Sequence, residues 1–220
     1  MRSRCGTTLG GEVVLADGAV IELASDLEIT VATTISGDGA IRVKGLVVKG
    51  AHLTVNGIEC AGLRADGGYR AGTRLEARDV RVLNSEGIGI SVGNGAAASI
   101  EGGSIVGSGG SGILVQGGGA TVSLSRVAIS DSGGNGISVC DGAQASIEAG
   151  SIEGSGRDGV WVGRVAISNS GGYNDIWAAS GGTATVREGC TVSGSGGQDY
   201  YEDSSGGTIE CLRAPPRSRS

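Results

Sequence analysis

The chain has 220 residues, 45 of them glycine, with two prolines, one histidine, no phenylalanine and a formal net charge of −6. Apolar residues make up 39%, enough for a core if regularly placed, and the glycines alternate with Ile and Val at fixed offsets, which excludes a low-complexity linker. No stretch approaches the roughly 18 consecutive apolar residues of a membrane helix, and the acidic balance argues against a nucleic-acid groove over most of the surface.

Residues 1–10, "MRSRCGTTLG", read as an N-terminal extension. No apolar run of roughly 7–15 residues follows the first arginines, so no secretion signal is read and a cytoplasmic location is the default. The stretch after it, "GEVVLADGAVIELASDLEITV", gives short strand-like pieces and no amphipathic helix. An open first turn of stacked strands would leave backbone and apolar side chains unpaired, so end-to-end self-association is an expectation.

Residues 39–81 hold eight basic and four acidic groups, against four basic and thirteen acidic over residues 82–212. The basic set is Arg42, Lys44, Lys49, Arg64, Arg70, Arg74, Arg78 and Arg81. It reads either as a patch for an acidic polysaccharide or as an ordinary solvated exterior. His52 has no Cys or second His at ligand spacing, so no metal site is expected. The five cysteines, Cys5, Cys60, Cys140, Cys190 and Cys211, form no CxxC pair and read as free thiols.

From about residue 80 the chain repeats. Serines Ser85, Ser108, Ser132, Ser155, Ser170 and Ser195 mark spacings of 23, 24, 23, 15 and 25. Three residues before them stand Val82, Ile105, Ile129, Ile152, Ile167 and Val192. Five and seven residues after the first four stand Ile90 and Val92, Ile113 and Val115, Ile137 and Val139, Val160 and Val162. An i, i+2 apolar pair shares one face of a strand. A helix would need apolar residues at i, i+3, i+4 and i+7, and glycine at this density opposes it. A unit of about 23–25 residues predicts one solenoid turn of three short strands and three bends, stacked in parallel about 4.8 Å apart. For one turn the inward set is Ile147, Ile152, Val160 and Val162.

Glycine motifs of the form GxGxxG at 107–112 and 154–159 fall in these bends with no helix following, so they are repeat punctuation and no cofactor is expected. Asn84, Asp131 and Asn169 precede the marker serine in alternate turns, and "ASIEGGSIVGSGGSGILV" at 98–115 returns as "ASIEAGSIEGSGRDGVWV" at 145–162. A duplicated pair of turns explains that echo.

The pattern "SIEAGSIEGSGRDGVWV" resembles the right-handed parallel β-helix repeat proteins of the pectate-lyase-like superfamily. The resemblance covers roughly residues 11–212, about eight turns. It implies a ladder of the marker serines, each bonding its own turn and the next. It leaves activity open, because lyases, hydrolases, epimerases and non-catalytic domains share the fold. The Asn-Thr-Asp, Asp-Asp and Gly-His-Gly motifs of the polygalacturonan hydrolases, the Asp-Pro-His of the epimerases and the Trp-x-Asp-His of the pectate lyases have no match in the sequence.

The step from Ser155 to Ser170 is too short for a three-sided turn, and predicts either a distorted turn near 163–175 with a strand missing or a sequence from which a piece has been lost. Around it gather aromatic and acidic residues. Trp161 lies between inward Val160 and Val162 and so faces outward. Trp177 and Tyr201 take the corresponding place in later turns, forming a strip able to stack on sugar rings or a protein. Asp158, Asp175 and Asp199 are expected at the adjacent bend. Glu101 and Glu148 share a column two turns apart and read as solubilising charges. Residues 213–220, "RAPPRSRS", read as a disordered basic tail.

Two functions follow as expectations. The first is a non-catalytic β-helix module binding carbohydrate or a protein partner along a lateral face through Trp161, Trp177, Tyr201, Asp158, Asp175 and Asp199. The alternative is a polysaccharide lyase, epimerase or glycoside hydrolase using the three aspartates.

Overall fold

The computed structural model describes residues 11–68, 72–147 and 149–156, together with the backbone of strands between 164 and 212. Trp161, Asp158, Val160, Val162, Ser170, Asn169, Arg70, Glu148 and the segments 1–10 and 213–220 lie outside the described residues.

The described residues form an all-β parallel helix. Its first six turns are β1 (Gly11–Leu15), β2 (Val20–Glu22), β3 (Leu27–Ile29); β4 (Thr33–Gly37), β5 (Ala40–Arg42), β6 (Leu46–Lys49); β7 (His52–Asn56), β8 (Glu59–Cys60), β9 (Leu63–Asp66); β10 (Arg74–Arg78), β11 (Arg81–Leu83), β12 (Ile90–Gly93); β13 (Ala97–Glu101), β14 (Ser104–Val106), β15 (Ile113–Gln116); and β16 (Thr121–Ser125), β17 (Val127–Ser130), β18 (Ile137–Cys140). Beyond them come β19 (Gln144–Ile147), β20 (Ala149–Glu153), β21 (Arg164–Ser168), β22 (Asn174–Ala178), β23 (Thr183–Arg187), β24 (Thr191–Val192), β25 (Gln198–Glu202) and β26 (Thr208–Leu212). The first strand of every complete turn joins sheet A, the second sheet B and the third sheet C, each pairing in parallel with its equivalent one turn away.

The expected rhythm holds in the middle and tightens toward the N-terminus. Arg74 pairs with Ala97, Ala97 with Thr121 and Thr121 with Gln144, which keeps the spacing of the marker serines. Gly11 pairs with Thr33, Thr33 with Leu53 and Leu53 with Leu75, and each of these steps is shorter. The shorter steps reflect shorter bends; the strands still supply the inward aliphatics. Sheets A, B and C hold nine, nine and eight strands among the described residues, in keeping with about eight turns of which one is irregular.

The inner column is the one expected from the i, i+2 pairs. Ile90, Val92, Ile113, Val115, Ile137 and Val139 are buried, as are Val82, Ile105, Ile129 and Ile152. Each stacks on its counterpart, Ile90 on Ile113 and Ile113 on Ile137. Burying such a side chain contributes about 1.5–3 kcal/mol, so the stack is the main source of stability.

The glycine before each pair is a packing requirement. A β-carbon on Gly112 would lie 2.6 Å from Ile129 Cγ2, 2.7 Å from the Gly136 carbonyl oxygen and 2.9 Å from Ser132 Oγ. The marker serines do form a buried column, Ser85, Ser108, Ser132 and Ser155. The expected bonding between turns is absent, however. Ser85 Oγ donates to the Ile88 carbonyl of its own turn at 2.9 Å, whereas the hydroxyls of Ser108, Ser132 and Ser155 have no hydrogen-bond partner. They fill the narrow space over the glycines, where little but a small side chain fits.

The short step also has its counterpart. Ala149 of β20 pairs with Arg164 of β21, well short of a full turn further on, both in sheet B. Sheet C meanwhile passes from β18 to β22 and sheet A from β19 to β23. The turn thus has a sheet-B strand without matching strands in sheets A and C among the described residues.

Candidate functional site

Sheet C carries a groove on its outer face, and the strands that hold Trp177 and Tyr201 join the same sheet. Successive rungs place Val47, Arg64, Ser91, Leu114 and Ser138 in one outward column. Val139 pairs with Ala178, which sets Trp177 level with Ser138, and Trp177 pairs with Tyr201. The expected equivalence of Trp177 and Tyr201 is therefore a register neighbour relation on consecutive strands, about 4.8 Å apart. The same register puts Asp175 and Asp199 level with each other inside β22 and β25, not at the adjacent bend as expected.

At the N-terminal half of the same face lies a groove of about 360 Å³. Its floor is Val47, Arg64, Ser91 and Leu114, one side is the bend Ser85–Glu86–Gly87–Ile88, and Asp26, Lys44 and Gln116 complete the rim. Val47 is 4% exposed although it lies outside the inner core. Ile88 and Leu114 are half-buried. An apolar floor with a polar rim is the usual composition of a site for a ligand with one apolar face and many hydroxyls. Sequence reasoning missed it, though "GLVVKG" carries a signal: Leu46, Val47 and Val48 break the alternation of a strand with one wet face.

The second outward column of sheet C runs Lys49, Asp66, Gly93, Gln116 and Cys140. A depression of about 400 Å³ here is lined by Glu28, Thr30, Lys49 and Asp66 with the glycines at 50, 67 and 68. Lys49 pairs with Glu28. Asp66 accepts from Asn94 Nδ2 at 3.0 Å, the Gly68 N–H at 3.1 Å and Arg64 at 3.1 Å. The Asn94 hydrogen bond is the largest cause holding its carboxyl below the usual range, with Gly68 and Arg64 acting in the same direction against partial burial. A carboxylate so committed suits fixing a ligand's orientation better than donating a proton.

The members of the basic set placed on strands are spread over all three sheets. Arg42 and Arg81 belong to strands of sheet B, Arg74 and Arg78 to sheet A, and Lys49 and Arg64 to sheet C. A strand sequence wraps the whole perimeter in each turn, so neighbours in sequence face different directions. Arg81 pairs with Glu59 at 2.9 Å, Arg74 with Glu76 at 3.0 Å and Arg64 with Asp66 at 3.1 Å. His52 lies on sheet A with Nε2 3.4 Å from Glu76. Glu101 is more than a solubilising charge, since it bridges Arg126 at 2.6 Å and Arg78 at 3.7 Å across neighbouring turns. Among the described residues no group of His, Cys, Asp and Glu could hold a metal ion, and no helix is long and apolar enough to cross a membrane.

The family described as the right-handed beta helix region matches residues 61–170. Comparison with the curated proteins and with the solved structures gives no match. With half of its residues inside that match and its strands stacked in parallel through three sheets, the chain belongs to the right-handed β-helix family.

Proposed function

We propose that the chain is a non-catalytic β-helix module that binds a carbohydrate chain along the outer face of sheet C. The observation that carries this reading is the groove of about 360 Å³ on sheet C, whose register runs on through Ser138 to the rungs that hold Trp177 and Tyr201. An elongated ligand lying along the stack would meet the apolar Val47 and Leu114 first and aromatic positions further on. Arg64, Ser91 and Gln116 would offer polar contacts between them. Aromatic rings are suited to the C–H faces of sugar rings, and the pairing of basic side chains with carboxylates disfavours a general polyanion site.

The alternative is a polysaccharide lyase, epimerase or hydrolase. It draws on the level placement of Asp175 and Asp199 on adjacent strands, about 4.8 Å apart, close to the carboxylate spacing of retaining glycosidases.

A glycan array with the wild-type chain, Leu114→Arg, Trp177→Ala and Tyr201→Ala tests the binding reading. Glycan capture that drops at least about tenfold in each variant supports it, and capture unchanged in all three removes it. An activity screen on uronate polymers separates the alternative: product formation lost in Asp175→Ala and Asp199→Ala would favour an enzyme. Capture of a protein instead of a glycan would make the face a protein-recognition surface.

A further inference from the structure

The bend between sheets B and C changes length abruptly along the stack. Between β8 and β9 it is two residues, Ala61 and Gly62, and between β11 and β12 it is six, residues 84–89. A longer bend reaches further from the core, so it stands beside the shorter one as a ledge. The groove of sheet C lies against one side of that ledge, along Ser85–Ile88. On the other side, over sheet B, is a second hollow of about 360 Å³ with Ala40, Arg42, Glu59, Ala61, Leu83 and Asn84 in its walls. The carbohydrate reading does not use it.

The register explains the space. Ile41 pairs with Cys60 and Cys60 with Val82, so the next outward column runs from Arg42 through Ala61 to Leu83. Ala61 offers only a methyl group between a long cation and a leucine, and the column is hollow there. Ala40, Ala61 and Leu83 are half-buried and give the hollow an aliphatic lining.

Charge selects the occupant. Glu59 is committed to Arg81 at 2.9 Å. Lys49, Arg64, Arg74, Arg78 and Arg126 each meet a carboxylate as well. Arg42 is exposed and forms no ion pair among the described residues, although Glu22 is its register neighbour. An uncommitted guanidinium at the rim of an aliphatic hollow suits a planar carboxylate, which it can grip with two parallel N–H bonds. A doubly charged phosphate would be repelled more strongly by Glu22 and Glu59. The volume lies at the low end for ligand sites, which favours a short apolar body. We propose that this hollow on sheet B binds a small aliphatic monocarboxylate, with its carboxylate on Arg42 and its chain over Ala61 and Leu83.

Titration of the full chain with hexanoate, followed in proton–nitrogen NMR spectra, tests this. Saturable shifts are expected at the amides of Arg42, Ala61 and Leu83. Hexanol, which lacks the charge, and acetate, which lacks the apolar body, should each bind at least about tenfold more weakly. Arg42→Gln should weaken hexanoate at least about tenfold with the rest of the spectrum unchanged. Lys44 is also exposed and without an ion pair among the described residues, but it lines the sheet C groove. Lys44→Gln should therefore leave hexanoate affinity within about twofold. Ala61→Leu fills the hollow and should weaken hexanoate and hexanol alike. Hexanol binding as tightly as hexanoate, equal losses in Arg42→Gln and Lys44→Gln, or shifts confined to the sheet C groove would overturn the proposal. So would hexanoate shifts that never saturate.

Discussion

Asn84 Oδ1 stands 2.8 Å from the position a β-carbon would take on Gly107 in the next turn, and Asp131 Oδ1 stands 2.9 Å from the corresponding position on Gly154. All four residues have positive φ: 53° at Asn84, 71° at Gly107, 55° at Asp131 and 63° at Gly154. Asn, Asp and Gly are the residues that adopt this conformation at least cost. Where Asn or Asp is used, its side chain takes the room above it, and the next turn is left with glycine. This is the physical content of the two-turn echo.

Gly107→Ala is therefore expected to lose about 1–3 kcal/mol, combining left-handed strain with the clash against Asn84. In the Asn84→Gly background the clash disappears and only the strain remains. Urea unfolding of the four proteins in a double-mutant cycle checks this, with a coupling of about 0.5 kcal/mol or more expected. Additive losses would show that the two turns do not sense each other here.

The buried serines give a contrast within one column. Ser132 Oγ is buried without a hydrogen-bond partner, so Ser132→Ala removes a polar group that gains nothing in the folded state. Ser85 Oγ donates to the Ile88 carbonyl, and Ser85→Ala leaves that carbonyl short of a bond. Thermal melts are expected to show Ser132→Ala unchanged or more stable and Ser85→Ala less stable by about 1 kcal/mol.

Asp66 links the second column of sheet C to pH. Its folded-state pKa is lowered, first by the Asn94 hydrogen bond. A lowered carboxylate contributes stability that is present above the ordinary range near about 3.9 and lost as pH falls through the lower native value. The stability gap between wild type and Asp66→Asn should be constant from neutral pH to about 5 and close in acid. Asn94→Ala should raise the Asp66 pKa toward the ordinary value in a carboxyl NMR titration. An unmoved titration would mean the Asn94 contact is not what holds it.

The core was readable because stacking converts three-dimensional neighbours into a period. Ile113 and Val115 are recognisable from Ile90, Val92, Ile137 and Val139 without knowing anything else. The incomplete turn was readable for the same reason, since the chain between β20 and β21 is too short to visit all three sheets. The groove was not. Val47 and Leu114 belong to turns of different length, and their outward position is visible only once the register is fixed. For the basic set closeness in sequence left a patch and an ordinary solvated exterior both open, and each turn spreads its strand-borne members around three faces. Asp175 and Asp199 fall within strands and not at the adjacent bend, yet they stay level with each other as Trp177 and Tyr201 do, because all four lie beyond the short turn.

Cys60 reports on the integrity of the inner column. It is 3% exposed, and burial, partly offset by the Gly62 backbone hydrogen bond and reinforced by the Glu59 charge, pushes its thiol from 9.0 up to about 12. Cys140 lies on the outward column of sheet C, where partial burial first, and then the Asp141 carboxylate, push it up to about 11. The thiolate is the nucleophile, so at pH 8 both should react with iodoacetamide more slowly than a free thiol, Cys60 only through unfolding. Because the folded-state pKa of Cys60 is raised, the stability it carries is intact below 9.0 and is lost as pH rises toward about 12. Peptide mass mapping of alkylation against urea concentration should show Cys60 modified in step with global unfolding. Modification of Cys60 well before the transition would mean that the turn around β8 opens by itself while the rest of the stack stays closed.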